Sequence, residues 1–371
     1  MTTQASKDTG TDTGTGVLPS QEIAGMVRDG LITADPEITA DQIQPASLDL
    51  RLGTVAYRVR ASFLTGAGAT VAERLHEFEM HRIDLMDGAV LEKGAVYVVP
   101  LMEGLALPEG IQAVANAKSS TGRLDLLTRA ITDGGVEFDR IAPGYHGPLY
   151  AEICPRSFSV LVRPGMRLNQ IRFRRGQAVL SDAELSARHA DQRLVDGPAV
   201  IDHGLGFSVD LKPREGDLVG FRAKPHTGVI DLDKIGHYDP AEYWEPIHTR
   251  EGRIILDPGA FYILVSREAV HIPPDCAAEM APYLAMVGEF RVHYAGFFDP
   301  GFGHDAAGGK GSRGVLEVRC HEAPFVLEHG QVVGRLVYER MAAVPDTLYG
   351  AGIKSNYQGQ GLKLSKHFRV G

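Results

Sequence analysis

From Leu48 onward the chain alternates apolar and polar residues in short runs broken by glycine and proline, a period-two texture that predicts strands rather than helices. Leu48, Leu50 and Leu52 face one way and Asp49 and Arg51 the other, as on a half-buried strand. Val96–Val99, Ile111–Ala117, Leu149–Ile153, Val160–Val162 and Leu168–Phe173 read as further strands of a sandwich or barrel. Helical patterning is confined to two places. Ile23, Met26 and Val27 form an apolar stripe after Ser20, the N-cap candidate, with Glu22 in the first turn and Gly30 as the stop. A short polar helix is expected over Asp182–Asp191, inside a segment (181–248) otherwise read as irregular. Residues 1–16, rich in Thr, Gly and Asp, read as a disordered tail without the basic and apolar regions of a secretory signal, so order is expected to begin at Val17.

The pattern repeats. Leu91-Glu92-Lys93-Gly94-Ala95-Val96-Tyr97 returns as Leu256-Asp257-Pro258-Gly259-Ala260-Phe261-Tyr262, and Leu107-Pro108 as Ile272-Pro273. Ala151-Glu152-Ile153 returns as Leu316-Glu317-Val318, and Gly165 through Phe173 as Gly330 through Tyr338. Both ends of the matched unit are displaced by 165 positions, which predicts two related β domains in tandem. The 371 residues are enough for both.

Charge narrows the function classes. With 38 Lys and Arg against 47 Asp and Glu the net charge is −9, which argues against general nucleic-acid or membrane-surface binding but leaves room for a local cationic site. No apolar run approaches the roughly 18 residues of a membrane span. Cys154, Cys276 and Cys320 are scattered and odd in number, as in a reducing cytoplasm. One stretch concentrates candidate chemistry. The strand Ile111–Ala117 runs into Lys118-Ser119-Ser120-Thr121-Gly122-Arg123, where two cations, adjacent hydroxyls and a glycine suit an anion held by side chains and close backbone approach. By itself the cluster also reads as an ordinary turn.

Taken with Gln44-Pro45-Ala46-Ser47-Leu48-Asp49-Leu50-Arg51-Leu52-Gly53 before it and Gly165-Met166 to Gln170-Ile171-Arg172-Phe173 after it, the stretch resembles dCTP deaminase. The second unit resembles the family through Ala295-Gly296-Phe297-Phe298-Asp299-Pro300-Gly301-Phe302, Gly314-Val315-Leu316-Glu317-Val318 and Gly330 to Glu339. Tyr349 with Asn356-Tyr357-Gln358-Gly359-Gln360 looks like the family's nucleotide-covering tail. The resemblance implies a mainly β protein of two tandem dUTPase-like distorted jelly-roll domains with a few short helices. The expected division is a tail at 1–16, domains at 17–180 and 181–340, and the covering tail at 341–371. Common family members carry one such domain per chain, whereas this chain carries two that have diverged. Unit one keeps Lys118, Ser119, Ser120, Arg123 and Glu152, but has Ala142 where the family has Asp before Pro-Gly, and an insertion around Thr132–Glu137. Unit two keeps Asp299 and Glu317 and has Ala281-Pro282-Tyr283-Leu284-Ala285-Met286 in place of the hydroxyl cluster. Each lacks what the other retains, so a composite site is expected.

By this resemblance Glu317, Ser119 and Arg123 are the catalytic residues of dCTP deamination. Glu317 would activate water and carry protons, with Ser119 and Arg123 beside the base and the water. Lys118, Ser120, Asp299, Tyr349, Asn356 and Gln360 would bind substrate, and Glu152 is the counterpart of Glu317 in the other repeat. The family's tail usually has lysine at the position of Asn356, so Lys354 or Lys363 is a substitute. Zinc deaminases need a His/Cys-x-Glu motif together with Pro-Cys-x-x-Cys; the combination does not occur, so no zinc is expected, and Mg²⁺ enters only on the triphosphate. The Gly303–Gly314 loop, with Lys310 and Arg313, reads as a hairpin insertion rather than a phosphate loop, since no helix follows it. His293 reads equally as a core, interface or catalytic residue. The implied partners are dCTP and dUTP, with dTTP as a candidate inhibitor, and a homotrimer that closes rings of three domains, in the cytoplasm. A dUTP diphosphatase or bifunctional enzyme is the alternative, and a non-enzymatic nucleotide-binding regulator the third.

Overall fold

The computed structural model describes residues 14–212, 217–282, 290–293, 296–351 and 359–370, and it is mainly β. In the first repeat one sheet runs Arg140–Ile141, Ile111–Ala117, Arg167–Arg175, Ser47–Arg51 and Ile43–Gln44. The second runs Leu126–Thr132, His146–Pro155, Val96–Ala106, Val55–Val59 and Glu79–Asp84. The second repeat uses the same order. Phe297–Phe298, Cys276–Pro282, Val332–Arg340 and Leu205–Ser208 form one sheet, and Phe290–His293, Ser312–Cys320, Phe261–Val270, Leu218–Ala223 and Trp244–His248 the other. A small pair, Val160–Val162 with Ala89–Leu91, also has its counterpart in Phe325–Glu328 with Arg253–Leu256.

Several elements carry the bounds that patterning predicts: Ile111–Ala117, Val160–Val162 and the helix Asp182–Asp191. Four expectations are corrected. The first helix, Ser20–Arg28, is preceded by Pro19 at the N-cap, so Ser20 is its first residue rather than its cap. Ser47–Arg51 is buried on both faces, because Asp49 and Arg51 find Lys118 and Glu103 as partners. The 181–248 segment is far from irregular and supplies strands Leu205–Ser208, Leu218–Ala223, Ile230–Asp231 and Trp244–His248, which its glycines and prolines had disguised. Order also reaches before Val17, since Gly16 and Val17 pair with Arg175 and Arg174.

The two repeats interlock. Ile230–Asp231 pairs in parallel with Val160–Val162 of the first repeat. Tyr243, Trp244, Phe261 and Phe368 join the first repeat's apolar core around Phe158. On the other side of the junction, the fully buried Arg172 lies 3.1 Å from Glu339 and 3.2 Å from Asp299 and donates to the carbonyl of Ala278 at 3.0 Å. Charges taken out of water this completely are tolerated only when paired, so these contacts specify one docking of the repeats.

Candidate active site at the junction of the two repeats

Where strand Ile111–Ala117 ends, Lys118 keeps an extended backbone and the chain then turns helically over Ser119–Gly122. Arg123 closes the turn, its amide bonding the Ser119 carbonyl at 3.1 Å. Four-residue spacing puts half-buried Ser119 and buried Arg123 on one face of the turn, and Ser120 and Leu124 on the next. The Arg123 guanidinium donates to Gln360 Oε1 at 2.9 Å and to the Lys363 carbonyl at 3.0 Å, so the C-terminal segment lies over it.

Glu317 comes to the same place from the second repeat, on strand Ser312–Cys320. Its Oε1 lies 3.8 Å from Arg123 Nε, near enough for charges to feel each other but too far for a hydrogen bond. Burial dominates. It pushes the Glu317 carboxyl up to about 8, against the opposing pull of Arg123 and of a backbone hydrogen bond. A carboxyl balanced near neutrality can both accept and return a proton at physiological pH.

A second ion pair holds this one in register. Two residues beyond Arg123 and Glu317, Asp125 and Arg319 are bonded to each other with the charges reversed between the repeats. Residues two apart on a strand share a face, so Glu317 and Arg319 both point at the first repeat. Ser157 donates to Asp125 at 2.6 Å, and Arg319 donates to the Gly259 carbonyl at 2.6 Å. Sequence reasoning passed over both residues, although Arg123-Leu124-Asp125 and Glu317-Val318-Arg319 are complementary as written.

On the next face of the turn lies a cavity of about 790 Å³. Lys118, Ser120, Asp49, Arg167, Lys366 and His367 are among the residues lining it. Lys118 is bonded to Asp49, whose other carboxylate oxygen is buried without a hydrogen-bond partner. The structure therefore separates the motif into Arg123, which faces Glu317, and Lys118 and Ser120, which line a cavity carrying three cations and the carboxylates of Asp41, Asp49 and Asp233.

The remaining expected site residues fall as follows. Asp299 is buried on Arg172; burial pushes its carboxyl up, and Arg172 pulls it back. Lys118 and Asp49 are close enough to bear on it as well. Tyr349 packs its ring 5.6 Å from that of Phe302, and its amide bonds the Pro300 carbonyl at 2.8 Å. Gln360 bonds Arg123 and, through its amide nitrogen, the Arg313 carbonyl at 3.3 Å. Asn356 and Lys354 lie outside the described residues. Glu152 is 1% exposed and ion-paired to Arg129 of its own repeat, away from Arg123. The Gly303–Gly314 loop is packed down: a side chain at Gly303 would meet the Val270 carbonyl, and Arg313 is paired to Asp210. His293 is the strand partner of Glu317, Cα to Cα. Among the described residues no group of three or more His, Cys, Asp or Glu is placed to hold a metal ion, and no helix is long and apolar enough to cross a membrane. All three cysteines are free and buried.

A buried carboxyl near neutrality, a guanidinium facing it and an adjoining cavity that presents Lys118, Arg167 and Lys366 are the equipment of an enzyme that moves protons on an anionic substrate. Residues 14–177 match the family model described as the 2'-deoxycytidine 5'-triphosphate deaminase N-terminal domain, and residues 181–368 the one described as its C-terminal domain. The chain belongs to the 2'-deoxycytidine 5'-triphosphate deaminase family. The crystal structure of 2'-deoxycytidine 5'-triphosphate deaminase from Agrobacterium tumefaciens is similar throughout, with 55% sequence identity and a TM-score of 0.85 over 88% of this chain and 99% of that one. A dCTP deaminase of Shewanella amazonensis is 29% identical over 188 residues, 47% of this chain and 93% of the relative. A dUMP-forming dCTP deaminase of Methanothermobacter thermautotrophicus is 30% identical over 176 residues, 47% of this chain and 84% of the relative.

Proposed function

We propose that the protein hydrolyses dCTP to dUTP and ammonia, with one site assembled inside each chain from both repeats. The observation that carries the mechanism is Glu317, buried and raised to about 8 at 3.8 Å from Arg123. In its ionised form Glu317 takes a proton from water as the oxygen bonds to C4 of cytosine, and passes that proton to N3. The second proton of the former water follows through the same carboxyl to the amine. The C4–N bond then breaks, ammonia leaves, and the ring is left as uracil. Ser119 and Arg123 supply hydrogen-bond donors and positive charge where the tetrahedral oxygen develops. Asp299 and the 349–360 tail hold the rest of the nucleotide, and the Lys118 and Ser120 face takes its phosphates.

Mg²⁺ belongs to this reading only as the counter-ion of the triphosphate. The cavity suits it in one respect, the unpartnered oxygen of Asp49, and its chemistry there is to offset phosphate charge. Zinc has no part in the reading. The three thiols sit on separate strands, and burial pushes that of Cys276 up to about 12, far from the thiolate a zinc ligand must be. The strand order that the two repeats share supports reading each as a distorted dUTPase-like jelly roll. The homotrimer of closed domain rings stays in the proposal as an assembly rather than a requirement of the site, because Arg123 meets Glu317 without a second chain. The cytoplasm is the proposed location, and dTTP the proposed inhibitor.

Ammonia release from dCTP, abolished in Glu317→Gln, is the test; a wild-type protein that binds dCTP and releases no ammonia refutes the proposal in favour of a nucleotide-binding regulator. The dUMP-forming relative gives the bifunctional alternative its basis. Pyrophosphate released in step with ammonia would identify it.

A further inference from the structure

Three cations converge on the 790 Å³ cavity, and two of them are spoken for. Lys118 is bonded to Asp49, and Arg167 lies 2.9 Å from Asp41 and 3.9 Å from Asp49. The third, Lys366, has no carboxylate partner among the described residues; its recorded hydrogen bond runs through its own backbone carbonyl, which accepts from the Gly236 amide at 2.9 Å. Burial and the neighbouring charges of Lys118 and Arg167 all disfavour its ammonium, and Asp49 only partly compensates.

A lysine on an unanchored segment is ordinarily free to swing away from such company. Here it cannot. On one side, Ser365 Oγ donates to the Ser120 carbonyl at 2.8 Å and is 2.9 Å from His367 Nδ1. On the other, His367 Nε2 is 3.2 Å from the Leu232 carbonyl, and Phe368, 2% exposed, packs edge-on against Tyr243 at 5.5 Å and Trp244 at 5.9 Å. The segment is bolted to both repeats so that an ammonium without a carboxylate within ion-pair distance among the described residues lines the cavity with Ser120. A polyanion is the ligand that pairs with it.

We propose that Lys366, with Arg167 beside it, binds the terminal phosphate of the nucleotide and makes the enzyme select triphosphates. The proposal rests on the dCTP reading for the identity of the nucleotide. The base end then sits at Arg123 and Glu317 on one face of the Ser119–Gly122 turn, and the phosphate chain runs past Ser120 and Lys118 into the cavity on the other. It also assigns the tail's phosphate-binding cation to a residue beyond the motif, where Asn356 stands in place of the usual lysine.

The test compares dCTP with dCDP in wild type, Lys366→Met and Lys366→Arg, each checked for an unchanged melting temperature. In Lys366→Met, KM for dCTP rises about tenfold or more with kcat held, whereas kcat/KM for dCDP hardly moves, so the preference for the triphosphate collapses; Lys366→Arg restores much of it. An unchanged dCTP/dCDP preference in Lys366→Met overturns the proposal. Calorimetric titration with inorganic tripolyphosphate separates this from the dCTP reading. Should wild type release no ammonia from dCTP, tripolyphosphate that binds wild type at least about tenfold more tightly than Lys366→Met still upholds the anion site, and equal binding refutes it.

Discussion

Glu152 and Glu317 occupy the same place in the two repeats, on the same strand of the same sheet, and both are buried. Their cross-strand neighbours differ. Opposite Glu152 stands Arg129, whose guanidinium grips the carboxylate through Nε at 3.1 Å and through Nη2, and stacks over Phe138 at 3.6 Å. Opposite Glu317 the chain carries His293 in place of arginine, and the nearby cation is Arg123, from the other repeat and beyond hydrogen-bond reach. A carboxylate gripped by its own guanidinium is a structural charge. One held near a guanidinium without being neutralised keeps its proton close to neutral pH and can trade it. The two equivalent carboxylates thus differ in their nearest cation, Arg129 of the same repeat for Glu152 and Arg123 of the other repeat for Glu317, and the proposed chemistry assigns the reaction to the second.

The sharpest way to break the comparison is Glu317→Gln. It retains shape and hydrogen bonding and removes the proton carrier, so kcat falls by several powers of ten, more than the ~10²–10⁴ of a single general base, because one group makes both transfers. Nucleotide binding survives. The same variant has an opposite effect on stability. Since the Glu317 carboxyl is raised from 4.5 to about 8 in the fold, it costs nothing below 4.5, destabilises increasingly as pH rises from there, and costs its full amount above about 8. Glu317→Gln should therefore melt like wild type at pH 4.5 and above it at pH 8.5; equal melting points at both would mean the carboxyl is not raised.

Arg123→Ala comes next, with kcat reduced about 10²–10³-fold through loss of charge at the developing oxyanion. KM rises in addition, because Gln360 and the Lys363 carbonyl lose their donor. Asp125→Asn acts on the register rather than the chemistry. It leaves Arg319 buried against a neutral partner and should cost about 3–5 kcal/mol in urea unfolding, the range for breaking a buried pair. Glu152→Gln is the mildest: turnover within about twofold of wild type, and about 1–3 kcal/mol of stability lost at Arg129. A large loss of kcat there would erase the distinction between the repeats.

Much of this site was legible in the sequence because it depends on local pattern. The hydroxyl and cation cluster after an alternating strand, the repeat spacing that equates Glu152 with Glu317, and the complementary losses in the two repeats are all visible without coordinates. What was hidden depends on docking. Arg172 was visible only as part of the Gln170–Phe173 motif and Arg319 was passed over, because only the approach of the other repeat buries them on Asp299, Glu339 and Asp125. The strands within 205–248 were masked by glycine and proline, since alternation over four to six residues is short enough for one of either to obscure it. Lys366 was passed over because it reaches the cavity through contacts with residues 232–244, more than a hundred positions earlier, and periodicity reports faces rather than partners.

The central claim is that one chain holds a complete site drawn from both of its repeats, and mixing two inactive variants tests it directly. Glu317→Gln and Arg123→Ala chains, co-expressed with different tags and isolated together as any assembly they form, should regain no dCTP deaminase activity above that of the variants alone, because no chain then carries both Arg123 and Glu317. Activity restored to a substantial fraction of wild type would place Arg123 of one chain against Glu317 of another, and the single-chain site would be wrong.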